Sequence, residues 1–135
     1  MQLRIVIADG DRKAVCSMAA VLRNAGHETR GVYHGLDVIA AVGSFAADVL
    51  LVDVGIIGMT GYAIARGLRQ RYGSALPMLI AASAGNSPTE RVLAELAGFE
   101  HHVSKPYEAK SLLGLFAIAR RRGSTNYELR KGGAL

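Results

Sequence analysis

What most constrains this chain is a strict alternation of short apolar runs with segments of helical period. Five runs read as strands: "LRIVIA" (3–8), "HETRGVY" (27–33), "DVLLVD" (48–53), "LPMLIAA" (76–82) and "HHVS" (101–104). Between them, Val15, Met18, Ala19 and Leu22 recur at helical spacing and stop at Gly26, and Ile64, Leu68 and Tyr72 repeat every four residues. "GLDVIAAVG" reads as a short helix between glycines. In "NSPTE", Ser87 is placed to cap, Pro88 takes the first helical position and Glu90 the third, which predicts a capping box. Val92, Leu93 and Leu96 are expected to supply that helix's apolar face, and Leu112, Leu115, Phe116 and Ala119 stripe a last one. The links are too long for hairpins, so the strands are parallel and joined by helical crossovers. Five strands and five helices then make an α/β fold with a doubly wound, five-stranded parallel sheet. A polar second strand suits an edge, and right-handed crossovers favour the order 2-1-3-4-5.

That topology already points to a site. Ligands of such sheets bind outside the carboxyl ends of the strands, where the strand order switches. Asp9 follows the first strand, Asp53 ends the third and Lys105 follows the fifth. Two carboxylates brought close together repel unless a cation lies between them, which makes a divalent metal a natural guest. An ammonium facing them adds a point charge suited to a phosphoryl oxygen. An aspartate nucleophile, a hard metal and a lysine together describe phosphoryl transfer onto a carboxylate. Taken singly, each residue has a plainer reading, the aspartates as helix caps and the lysine as a surface-loop residue. Convergence of three on one sheet edge favours a site.

Composition narrows the classes. At 135 residues, half of them hydrophobic and a fifth charged, the chain suits one domain with a real core. Its apolar runs fall well short of the roughly 18 residues of a membrane span, and "MQLRIVIADG" runs straight into a strand with no signal peptide in view. A single cysteine, Cys16, fits a reducing cytoplasm, and its neighbours Val15 and Met18 predict a buried, inert thiol. The net charge of +5 raises a nucleic-acid reading, but the only basic run, Arg120–Arg122, has no aromatic interleaving and reads as a solvated helix end. The tail "GSTNYELRKGGAL" (123–135) lacks a period and is expected to fray or to form a linker stub, too short for a DNA-binding module.

The strand end "IAD", the run "ADVLLVD" with Gly61 eight residues after Asp53, the strand "LPMLI" and the segment "AGFEHHVSKPY" together resemble the receiver domain of two-component response regulators, over residues 1–122. Lys105-Pro106-Tyr107, closing the fifth strand, is the most specific of these pieces. The resemblance implies a flavodoxin/receiver-like fold and a signalling domain rather than an enzyme. It implies a phosphoryl group accepted by Asp53 from a sensor histidine kinase or phosphotransfer protein, with Mg²⁺. Lys105 would pair with the phosphoryl group, and Asp9, Asp53 and the Gly55 backbone carbonyl would hold the metal, with Asp11 or water filling in. An output partner would meet the face made by the fourth helix, fifth strand and fifth helix, and a second copy of the chain is a further candidate partner.

The chain also departs from the family pattern. The second acidic residue after the first strand is replaced by Gly10, with Asp11 one place late, where it serves more naturally as a helix cap than as a metal ligand. The switch hydroxyl aligns with Ala82, and Ser83, one residue on, should point to the opposite face unless the strand is bulged. The loop proline is replaced by Ile57, and the switch aromatic corresponds to His102. A second expectation follows, a pseudo-receiver that binds partners without phosphorylation. A third, on "IVIADGDRKA", resembles haloacid-dehalogenase-type phosphatases with Asp9 as nucleophile and Asp11 as acid/base, but lacks a paired acidic motif downstream and has Lys13 where Thr or Val is expected.

Overall fold

A computed structural model describes residues 2–85 and 87–119. The strands are β1 (Arg4–Ala8), β2 (Glu28–Val32), β3 (Val49–Asp53), β4 (Met78–Ser83) and β5 (His101–Ser104), and the sheet is parallel throughout with the order β2-β1-β3-β4-β5. Helices α1 (Arg12–Asn24), α2 (Val38–Phe45), α3 (Gly61–Tyr72) and α4 (Pro88–Ala97) fill the crossovers, and α5 runs over 109–119 within the described residues. The expected architecture and order are both present. The expected tail (123–135) and the Arg120–Arg122 run lie outside the described residues.

Alternation along the strands divides the core in two. Ile5, Ile7, Val49, Leu51, Met78, Ile80 and Ala82 face α1 and α5, where Val15, Ala19, Leu22, Leu112 and Phe116 cover them. Val6, Ala8, Leu50, Val52, Leu79 and Ala81 face α2, α3 and α4. The central strand β3 is therefore buried on both faces, as its unbroken apolar run requires.

Local chemistry fixes the element ends. The Asp11 carboxylate accepts the Ala14 N–H at 3.1 Å and caps α1. Ser87 and Glu90 form the expected capping box at α4, and Gly98 ends that helix in the left-handed conformation. A Cβ on Gly61 would stand 2.7 Å from Val54 Cα, so glycine lets α3 start close against the β3 strand end.

Two expectations on burial fail. Cys16 is exposed, because the buried stripe of α1 runs through Val15, Ala19 and Leu22 and turns Cys16 to solvent. On α4 the buried residues are Ala94 and Ala97, while Val92, Leu93 and Leu96 are exposed, Leu96 at 73%. The helix seats its small residues against the sheet and α3, leaving its large ones outside.

Candidate functional site at the carboxyl edge of the sheet

The three residues singled out by topology meet. Lys105 Nζ lies 2.7 Å from Asp9 Oδ2 and 3.6 Å from Asp53 Oδ2, so one ammonium spans both carboxylates. Their positions come from the backbone. Asp9 N–H donates to the Val32 carbonyl at 2.9 Å, Val54 N–H to that of Ala82 at 3.0 Å and Lys105 N–H to that of Ser83 at 2.7 Å. Each acidic or basic group thus leaves a strand end that is tied to its neighbour before any side chain contributes.

The remaining contacts are local. Asp9 Oδ1 accepts the Asp11 N–H at 2.9 Å, and Asp53 Oδ1 accepts the Gly55 N–H at 3.3 Å. Asp9 is buried and Asp53 half-buried, which leaves Asp53 the more open of the two carboxylates. Burial works against the Lys105 ammonium, but its hydrogen bond to Asp9 and the charges of Asp53 and Asp9 outweigh it and hold its pKa above the ordinary 10.5. Burial, reinforced by the Asp9 charge, pushes the Tyr107 hydroxyl up as well. Beside the ion pair a cavity of about 360 Å³ opens between α1 and the 105–107 turn, walled by Ala14, Met18, Pro106 and Tyr107.

Magnesium is the metal that receiver domains generally hold in their phosphorylation site. Asp9 and Asp53 supply hard oxygen ligands of the kind Mg²⁺ takes, and water can fill most of its octahedron, so the residues fit it. The fit is sparse. No group of three or more His, Cys, Asp or Glu suited to a metal occurs among the described residues, and the Asp11 carboxylate serves the α1 cap. Lys105 already offsets one of the two negative charges that would bind the cation.

Ala82 pairs with Asp53 in the β3–β4 register, on the face of the sheet toward α1 and α5. Ser83 pairs with Ser104 in the next step of an unbroken ladder, so the strand is not bulged and the hydroxyl turns to the other face. There its Oγ lies 2.7 Å from the Gly85 carbonyl and 2.8 Å from His102 Nε2. Sequence reasoning did not pair Ser83 with His102. The only signal was register, since Ser83 and His102 lie on the same side of adjacent strands once Ala81 is set opposite His102.

Known proteins support this architecture. The curated relatives include the sensory transduction protein RegX3 of Mycolicibacterium smegmatis, 29% identical over 122 residues, covering 90% of this chain and 52% of the relative. The DNA-binding response regulator MtrA of Mycobacterium leprae is 29% identical over 122 residues, covering 90% and 53%. The chain spans about half the length of these relatives. Among solved structures, a CheY-like response regulator receiver domain protein from Methanospirillum hungatei superposes with a TM-score of 0.81 at 18% identity, over 93% of this chain and 99% of that one. The chemotaxis regulator CheY4 of Vibrio cholerae gives 0.80 at 18%, over 88% and 99%. The family model for the response regulator receiver domain matches residues 5–117. With that match lying across the whole sheet and its acidic edge, the chain belongs to the receiver domains of two-component response regulators.

Proposed function

We propose that Asp53 is the phospho-acceptor of this domain, receiving a phosphoryl group from a histidine kinase or phosphotransfer protein in the cytoplasm. The observation that carries this is the convergence of Asp53, Asp9 and Lys105 at one edge of the sheet. In the transfer an Asp53 carboxylate oxygen attacks phosphorus, the donor's P–N bond breaks, and the donor imidazole nitrogen keeps the electron pair and takes up a proton. Lys105 balances charge on the phosphoryl oxygens from within reach of Asp53. Asp9, Asp53 and the Gly55 carbonyl would hold Mg²⁺, which when bound offsets the charge gathering on the transferred group. The domain acts as an acceptor rather than as a turnover enzyme, with slow self-dephosphorylation. Its output partner meets the face formed by α4, β5 and α5, and a second copy of the chain is a candidate for that role.

A second reading has specific support. Gly10 and Ala82 remove an acidic group and a hydroxyl from the acceptor's surroundings, as in a pseudo-receiver that binds partners unphosphorylated. The phosphatase alternative gains no support from the geometry, because Asp11 caps α1 and Asp9 is paired with Lys105. Incubation with Mg²⁺ and a small acyl phosphate, followed by intact mass measurement, separates the first two. The acceptor reading expects one phosphoryl group on the wild type and none on Asp53→Asn. An unmodified wild type, or a fully modified Asp53→Asn, overturns it.

A further inference from the structure

We propose that Ser83 is a positioning residue for His102, and that the chain of contacts Gly85–Ser83–His102 sets the α4–β5 cleft independently of what Asp53 carries. The second half of this proposal rests on the acceptor reading; the first does not. A serine hydroxyl has one proton. With that proton given to the Gly85 carbonyl at 2.7 Å, the oxygen at 2.8 Å from His102 Nε2 can only accept, so the ring nitrogen is the donor. The neutral ring protonated at Nε2 supplies that donor.

The hydroxyl is also confined. Ser83 is 8% exposed, its carbonyl accepts the Lys105 N–H at 2.7 Å and its backbone is in register with Ser104. Turning its side chain toward Asp53 would take it through the plane of the sheet and break that ladder. From the end of β4, the side chain on the acceptor's side is the methyl group of Ala82, which has no hydrogen bond to give an anion. His102, by contrast, lines a cleft of about 700 Å³ together with Arg91, Glu95, Phe99 and His101. The one polar side chain at the end of β4 is thus committed to that cleft, across the sheet from the chemistry.

Nitrogen-15 NMR of the full chain tests both halves. Ser83→Ala is expected to shift the His102 ring nitrogens and to speed exchange of the Nε2 proton at least tenfold, with Ser83→Thr restoring the wild-type signals. Unchanged His102 signals in Ser83→Ala would overturn the positioning role. Beryllium fluoride with Mg²⁺ is expected to move the amides of Val54 and Gly55 while those of Glu95, His101 and His102 stay in place. Movement of Glu95 and His102 as large as that of Gly55 defeats the claim of independence. A wild type in which no amide responds defeats the acceptor reading and the claim of independence with it, and the Ser83 variants then decide the positioning role on their own.

Discussion

Gly10 is the residue whose replacement says most about the metal. A Cβ there would meet only the Tyr33 carbonyl oxygen, at 3.9 Å, and its φ is not positive. The backbone therefore accepts a side chain at this position. Gly10→Asp adds an acidic oxygen next to Asp9, and we expect Mg²⁺ to bind about tenfold tighter, roughly 1.4 kcal/mol, by calorimetric titration. Equal affinity in the two proteins would show that Asp9 and Asp53 already suffice. Lys105 and Tyr107 give a pH dependence. Both have folded-state pKa values above their ordinary 10.5 and 10.0, so the unfolded chain loses these protons first as pH rises. Their contribution is intact below about pH 10, and the denaturation midpoint is expected to be level with respect to these groups from about pH 7 to 9 and to fall as pH rises past about 10. Lys105→Met should flatten that fall. The residues of this site were legible in the sequence because strand ends and strand order alone place them. Which oxygen meets which nitrogen was not, because side-chain pairing depends on distances of an ångström or less.

At the scale of an element, α4 shows where periodicity misleads. Val92, Leu93 and Leu96 lie on one side of the helix and Ala94 and Ala97 on another, and both sets satisfy helical spacing. A sequence reading prefers the larger side chains for the core, since they bury more area. The structure prefers the alanines, because the helix lies close over the sheet and against α3, where bulk does not fit. Leu96→Glu should then change the urea unfolding free energy by less than about 0.5 kcal/mol, whereas Ala94→Leu should lose about 1–3 kcal/mol by overpacking. The opposite ranking would return Leu96 to the core. Cys16 is a milder case of the same ambiguity: its buried neighbour Val15 says little about the next residue, which sits about 100° further round the helix.

For the whole molecule, the five strands serve two apolar layers at once, one under α1 and α5 and the other under α2, α3 and α4. Because each layer is built on the same strands, neither stands alone. Leu68→Ala on one side and Phe116→Ala on the other should each cost about 3–5 kcal/mol, and both variants should still unfold in a single transition seen alike by fluorescence and far-ultraviolet circular dichroism. Separate transitions in either variant would mean that the layers are independent units. Fold class, strand order and the edge position of β2 were all readable because they rest on chain-long patterns that survive individual misreadings. The switch from sequence to contact failed only where one residue step changes the face.

The acidic edge hangs on backbone hydrogen bonds from Asp9, Val54 and Lys105 to neighbouring strands, and none of these involves a side chain. The backbone frame that places these residues is therefore separate from the chemistry of their side chains. The same frame forms with Gly10 and Ala82 where the family pattern has an acidic group and a hydroxyl. An intact fold is thus no measure of an intact reaction, and the chemistry at this edge has to be asked of Asp53 and Lys105 themselves.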